Sequence, residues 1–341
     1  MSRFLTRNTY YTGPITDHFD GARFFNPGQS STDRSLRDIW RWRRTSHPVQ
    51  WPTSVPVQPS VPEHYVDALR ITMVGHATLL IQVAGQNILT DPVWSDRASP
   101  FTWGGPKRVS APGIVFENLP PIDVILISHN HYDHLDLATL KRLQATHDPL
   151  MIMPLGNNSI IKKAIPQARI VAGDWHDRCV VSSTLRITLT PAYHWSARGI
   201  FDRRMALWAG FWLDMPTHKL WFAGDTAYGD GALFRNLFAQ YGAPNVALIP
   251  IGAYEPRWFM AGQHVNPHEA VCIYKDIQAK HALGIHWATF QLTDEGIFAP
   301  KEALQAALRA ANHPENQFKA AMPGHSYQFE RGWVVDSSAT K

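Results

Sequence analysis

The chain has 341 residues, 45% of them hydrophobic and 18% charged, enough for one large domain or two small ones with a deep core. Its formal net charge of +4 leans weakly toward anionic substrates or membrane surfaces and falls short of the clustered basicity of a nucleic-acid binder. The two cysteines, Cys179 and Cys272, stand far apart and outside any CxxC, so neither a disulfide framework nor a thiolate metal site is indicated, and any metal must be held by histidine and carboxylate.

The opening "MSRFLTRNTYYTGPITDHFDGARFF" lacks the apolar core of a signal peptide, and no stretch approaches the length of a membrane span, so the expectation is a cytoplasmic protein, at most peripheral at a membrane surface. Residues 1–66 mix proline, glycine and aromatics, with the Pro-rich connector "HPVQWPTSVPVQPSVPEH" at 47–64; they are expected to form an arm packed on the core, with 67–341 as the main domain. Within the arm, "SLRDIWRWRR" (35–44) alternates Trp40 and Trp42 with Arg41, Arg43 and Arg44. That alternation suits headgroup contact at a membrane, and equally a half-buried strand or arm.

From residue 70 one pattern occurs twice. "LLIQVAGQNILTD" (79–91) and "FWLDMPTHKLWFAGD" (211–225) are each strand, turn and strand ending in an aspartate, Asp91 and Asp225. A buried-type strand follows each, "PIDVILIS" (121–128) and "PNVALIPIG" (244–252). Helices are marked by their caps: Asp136 before "LATLKRL", Asn266-Pro267-His268-Glu269 before "AVCIYKDIQ", and "PKEALQAALRAA" at 300–311. Two β-rich halves with helices outside predict an α/β layered sandwich of two facing sheets.

The stretch "SHNHYDHLD" (128–136) follows the apolar strand and offers His129, His131, Asp133 and His134. Imidazole and carboxylate suit a borderline divalent ion such as Zn²⁺. Four ligands on one short loop do not comfortably surround one ion, because Asp133 and His134 diverge from His129 and His131, so two metals are the natural solution. The remaining ligands come from other strand ends: His194 after "LRITLTPA", Asp225 at the end of the second hairpin, and His286 in "LGIHWATF".

The pattern H-x-H-x-D-H with a later His, Asp and His resembles the metallo-β-lactamase superfamily, whose αββα four-layer sandwich agrees with the two-halves reading. The blocks "GHATLLI", "LTDPVWSDRASP", "LPPIDVILISHNHYDHLD", "AGDTAY", "IPIGAYEPRWFM", "QHVNPHEAV" and "IHWATF", dense over residues 75–290, resemble the N-acylphosphatidylethanolamine-hydrolysing phospholipase D family. This resemblance implies two Zn²⁺ per chain, one held by His129, His131 and His194 and the other by Asp133, His134 and His286, with Asp225 bridging. It also implies a phospholipase D-type phosphodiesterase, releasing N-acylethanolamine and phosphatidic acid by metal-hydroxide attack on phosphorus. A metal-dependent lactonase or other ester hydrolase is the alternative, since fold does not fix substrate.

His264, in "GQHVNP" just before a capped helix and outside the metal set, is read as a substrate-orienting group or proton donor, against a loop histidine bonded to backbone; Asp225 is the other catalytic candidate. Tyr254, Glu255 and Arg257 could line the same mouth, with Arg257 pairing to phosphate, against an internal contact to Glu255 or a helix end. Asp91 is expected to accept hydrogen bonds from the metal-loop backbone or a ligand imidazole. His76 and His325, each after a glycine, are read as buried, hydrogen-bonded imidazoles. "RASPFTWGG" (97–105) and "EPRWFM" (255–260) are candidate apolar walls for a phospholipid or other anionic ester, with no nucleic-acid partner; the family resemblance leans toward a homodimer.

Overall fold

The computed structural model describes residues 7–329 and the backbone of 333–335; residues 1–6, 330–332 and 336–341, including the outer ends of both expected segments, lie outside it. Six strands open the main fold: β1 (Arg70–Gly75), β2 (Thr78–Val83), β3 (Gln86–Thr90), β4 (Val124–Leu126), β5 (Leu150–Pro154) and β6 (Arg169–Gly173). Seven more follow: β7 (Arg178–Val180), β8 (Arg186–Thr190), β9 (Gly210–Asp214), β10 (Lys219–Phe222), β11 (Val246–Pro250), β12 (His281–Ile285) and β13 (Phe318–Ala320). The chain then returns with β14 (Ser326–Phe329) and β15 (Trp333–Val335). The strands form two sheets, ordered β15-β14-β1-β2-β3-β4-β5-β6 and β13-β12-β11-β10-β9-β8-β7.

Each half repeats one grammar. The β2–β3 hairpin turns through Ala84 and Gly85, both at positive φ as a two-residue hairpin loop of matching twist requires, and parallel strands β4, β5 and β6 then extend the sheet. In the second half the antiparallel β9–β10 pair is followed by parallel β11, β12 and β13. The inner parallel strands β4, β5, β11 and β12 are covered on both faces, which explains their apolar runs, whereas the edge strand β6 is partly exposed.

Side-chain alternation sorts each strand between layers. Val124 and Leu126 of β4, Phe211 and Leu213 of β9, and Val246 and Leu248 of β11 enter the core between the sheets. Their neighbours Ile125 and Ile127 face outward under α2 (Leu137–His147) and α3 (Asn157–Ala164). Trp212, Trp221, Ala247 and Ile249 lie under the second outer layer, built from residues of Ala232–Tyr241, Pro267–Asp276 and Ala299–Ala310. The order helix, sheet, sheet, helix is the αββα sandwich. Asp136 caps its helix by accepting from the amides of Ala138 and Thr139, and Asn266 with Glu269 forms a capping box.

Residues 7–66 run over this frame. Phe19 and Phe24 pack with Ala192, Leu207 and Trp208, Asn8 donates to the Met205 carbonyl, and Asn26 donates to the His194 carbonyl. Of the readings open for the alternating Trp/Arg stretch, the strand is not realised: Leu36–Thr45 is a helix, α1. Ser35 and Asp38 form a capping box, and the dipole is complemented by Asp38 in the first turn and Arg43 and Arg44 in the last. Residues two apart lie on nearly opposite sides of a helix, so Trp42 stacks on Phe259 at 5.0 Å between centroids while Trp40 remains 61% exposed.

Candidate metal centre

The loops after β4, β8, β10 and β12 meet at one edge of the sandwich, where ligands of open α/β sheets collect. The Ser128 carbonyl accepts the Ala209 amide at 3.0 Å and so ties the metal loop to the start of β9. Gly224, at φ +62°, lets the end of β10 close on this point: a Cβ there would stand 2.9 Å from Ser128 Cβ and 3.1 Å from the Ala209 carbonyl. Asp225 is thereby held against the 129–134 loop.

Two sets of donor atoms converge. His131 Nδ1 lies 2.8 Å from His129 Nε2 and 3.3 Å from His194 Nε2. Asp133 Oδ2 lies 3.3 Å from His134 Nε2 and 3.4 Å from His286 Nε2. Asp225 Oδ2 stands between the sets, 3.2 Å from His134 Nε2, 3.3 Å from His286 Nε2, 3.7 Å from His194 Nε2 and 3.9 Å from His129 Nε2. All seven residues named from the sequence are therefore brought together, and the His129/His131/His194 and Asp133/His134/His286 groups each have donor atoms close enough for one ion.

The other ring nitrogens show why these atoms point inward. His134 Nδ1 donates to Asp91 Oδ2 at 2.7 Å, His194 Nδ1 to the Gln263 carbonyl at 2.9 Å, and His129 Nδ1 to Ser128 Oγ at 2.9 Å. A neutral imidazole that gives its proton outward leaves its Nε2 lone pair in the site, the orientation a metal requires. Asp91 also accepts the Ser128 amide and hydroxyl, both at 2.6 Å, so it anchors both the loop backbone and a ligand imidazole. Several left-handed residues frame the site, His76, Asp91, His286 and Ala288 among them, each conformation costing on the order of 1–3 kcal/mol that the surrounding packing must offset.

Burial works against charge on Asp133 and Asp225, yet His134 beside them holds both carboxyls well below the usual range. Burial also opposes charge on His134, but Asp225, Asp133 and Asp91 push it well above the ordinary histidine value; Asp225 and Asp133 likewise raise His286 to about 9. His129 is driven well below its usual value by burial and neighbouring imidazoles, and burial first of all takes His131 and His194 to about 3. Burial pushes the Asp91 carboxyl up, opposed by His134 and Ser128. Two buried carboxylates thus recruit protons onto His134 and His286, the charge that a cation would supply instead. Buried His134 Nε2, His286 Nε2 and Asp225 Oδ1 have no hydrogen-bond partner, and the N/O donor set is that of a borderline divalent ion, so these residues fit a metal.

His264 joins the cluster rather than the backbone alternative: its Nδ1 is buried without a hydrogen-bond partner, 3.9 Å from Asp225 Oδ2, and burial lowers it to about 3. His76 Nε2 contacts Asp133 Oδ2 at 2.8 Å, and burial first, then His286, lowers this imidazole to about 3.

Two expectations need correction. Arg257 is not free for phosphate: it donates to Glu269 Oε2 at 2.7 Å in the first turn of the 267–276 helix and to the His264 carbonyl at 3.0 Å, so the helix-end alternative holds. His325 is exposed on the turn entering β14, its main chain paired with Met73 and Met322, and it belongs to none of the clusters among the described residues; following a glycine was too weak a signal. Tyr254 is buried, and its phenol is raised by burial and then by Glu295 and Glu255, so it remains a neutral donor outside the converging set.

Other residues were missed from sequence. The buried Glu295 carboxylate accepts the amides of Ala253, Tyr254 and Glu255 and so shapes the loop after β11. Arg198 brackets the metal loop, donating to the carbonyls of Asn130 and Leu135. Neither lies in a periodic or strand-end pattern.

Known proteins place this geometry. The sequence profile of the β-lactamase superfamily domain matches residues 86–287. The chain is 34% identical over 329 residues to N-acyl-phosphatidylethanolamine-hydrolyzing phospholipase D 1 of Caenorhabditis elegans, covering 90% of this chain and 91% of that protein. It is 37% identical over 225 residues to the mitochondrial N-acyl-phosphatidylethanolamine-hydrolyzing phospholipase D of Saccharomyces cerevisiae, 65% of this chain and 48% of the yeast protein. Among solved structures, an isothiocyanate hydrolase from Delia radicum gut bacteria superposes with a TM-score of 0.61 at 17% identity over 76% of this chain and 99% of that one, a likeness of fold alone.

Proposed function

This chain is a metal-dependent hydrolase of the metallo-β-lactamase superfamily, and from that membership we propose that it is a dinuclear zinc phosphodiesterase of the phospholipase D type acting on N-acylphosphatidylethanolamine-like phospholipids. The observation that carries the two-metal reading is Asp225 Oδ2, within 3.9 Å of ligand nitrogens from both sets. The substrate class rests on the relatives' named activity.

His129, His131 and His194 would hold one zinc, Asp133, His134 and His286 the other, and Asp225 both. Zinc bound there supplies Lewis acidity toward phosphoryl oxygens and lowers the pKa of water toward ~7. The chain's own groups prepare the site. Asp91, Gln263 and Ser128 keep the protons of His134, His194 and His129 on the outward nitrogens. His264, neutral through burial, is placed to donate an N–H hydrogen bond that orients the phosphodiester or the departing ethanolamine oxygen.

A groove of about 550 Å³ beside the metal loop is lined by Tyr132, Leu135, Arg198, Arg97 and Phe101. Exposed Phe101 and Trp103 meet with tilted rings 5.0 Å apart at this groove, an apolar surface suited to an acyl chain. Helix α1 adds exposed Trp40 and three arginines, Arg41, Arg43 and Arg44, a face suited to a peripheral headgroup contact. Among the described residues no helix is long and apolar enough to cross a membrane.

The test is to offer purified, zinc-loaded protein N-acylphosphatidylethanolamine vesicles and an acyl-homoserine-type lactone in parallel. Release of N-acylethanolamine with phosphatidic acid and no ring opening supports the proposal. Ring opening alone would transfer the site to ester hydrolysis.

A further inference from the structure

We propose that Arg257 is a positioning residue for His264, acting through the main chain of the 257–264 segment rather than on substrate. The inference deepens the phosphodiesterase reading and rests on it for its kinetic arm.

The segment begins at the short helix Arg257–Met260, numbered α5 after α4 (Ala232–Tyr241), and ends at α6 (Pro267–Asp276). Arg257 Nη1 donates to the carbonyl of Tyr254 at 3.3 Å, just before α5, and to that of His264 at 3.0 Å, just after it. Its Nη2 donates at 2.7 Å to Glu269 Oε2, the same oxygen that accepts the Asn266 amide at 3.0 Å. One planar guanidinium therefore joins three places in the chain, which the single ammonium of lysine cannot do with the same geometry.

What the segment carries gives these bonds their consequence. The Gln263 carbonyl fixes His194, the Val265 amide donates to the Thr226 carbonyl beside Asp225, and between them the His264 ring is set with Nδ1 3.9 Å from Asp225 Oδ2. On the outer side Arg34 donates to the Phe259 and Trp258 carbonyls, and Trp42 stacks on Phe259. The residue whose own carbonyl Arg257 holds is thus the one whose ring must be placed, and a displacement of ~1 Å in a positioning group can lower a rate about 10²-fold.

The experiment compares wild type, Arg257→Ala, Arg257→Lys, His264→Ala and the Arg257→Ala/His264→Ala double variant, all zinc-loaded, on N-acylphosphatidylethanolamine vesicles, alongside amide hydrogen exchange and metal content. The expected results for Arg257→Ala are a kcat lower by about 10- to 100-fold with KM within a few fold, unchanged metal content, and faster exchange confined to 257–266. Arg257→Lys recovers part of kcat, and the double variant is no slower than His264→Ala, because both changes remove one function. Multiplicative losses in the double variant, or a wild-type kcat for Arg257→Ala, would overturn the inference. So would exchange that accelerates through all of α6 together with metal loss, the mark of a general structural role. If the wild type cleaves no phosphodiester, the functional reading fails by itself, and the exchange arm still decides: acceleration confined to 257–266 supports the positioning role, and unchanged exchange rejects it.

Discussion

Replacing Asp91 with asparagine separates the shape of this residue from its charge. Its carboxylate accepts three hydrogen bonds, from the Ser128 amide and hydroxyl at 2.6 Å each and from His134 Nδ1 at 2.7 Å. In Asp91→Asn the retained oxygen still serves the amide, but an NH₂ group replaces the oxygen that met both the hydroxyl and the imidazole. The hydroxyl can rotate to accept from it; the imidazole must give up its Nδ1 proton and keep one on Nε2 alone, the nitrogen facing Asp225 at 3.2 Å. Losing charge-assisted bonds worth about 1.5–3 kcal/mol each, partly recovered by these rearrangements, leaves a net loss of about 2–4 kcal/mol, or roughly 3–6 °C in melting temperature of the metal-free protein. A protonated Nε2 cannot ligate, so affinity for the ion held by His134 should fall about 10- to 100-fold. Thermal unfolding of metal-free protein and zinc titration against a competing chelator read the two effects. Wild-type affinity for every metal equivalent in Asp91→Asn would refute the claim that this carboxylate sets the His134 tautomer.

Three further expectations follow from the site and the arm. His264→Ala should lower phosphodiester turnover about 10²-fold with metal content retained; unchanged kinetics would remove it from the site. Loading metal-free protein with zinc at pH 7 should release protons, since His134 and His286 are raised and must be neutral to ligate, and calorimetry in buffers of different ionisation enthalpy should show a smaller release above about pH 9. His18 bonds to Asp17 at 2.6 Å and Asp174 at 2.7 Å, and these carboxylates raise it against the effect of burial. A raised folded value means this stabilisation is full below the unfolded value of about 6.5 and is lost as pH rises through the folded one. Limited proteolysis within residues 7–35 should therefore quicken across that rise, and a rate independent of pH would count against the clamp.

What sequence conveyed divides along physical lines. The two hairpins, the buried strands and the caps at Asp136 and Asn266 rest on local chemistry, and they recur in the structure, the strands within about three residues at either end. The clustering of the 129–134 ligands was readable because residue type and strand-end placement both carry information there. Gln263 was invisible because it acts through its carbonyl, which every residue possesses. Glu295 was invisible because its partners are amides about 40 positions away. Arg257 misled because an arginine near a site suggests phosphate, whereas Glu269, already marked by its capping box, claims it. For residues 35–44 the alternation of Trp and Arg left the conformation open, although Ser35 and Asp38, which cap a helix there, carried the local signal.

The central claim is that one carboxylate joins two metal positions, and metal stoichiometry measured beside turnover tests it most directly. Wild-type protein dialysed against buffered zinc should carry two equivalents per chain and hydrolyse a phosphodiester lipid. Asp225→Asn should lose metal and nearly all turnover together. Near-normal turnover in an Asp225→Asn protein depleted of zinc would contradict the dinuclear account.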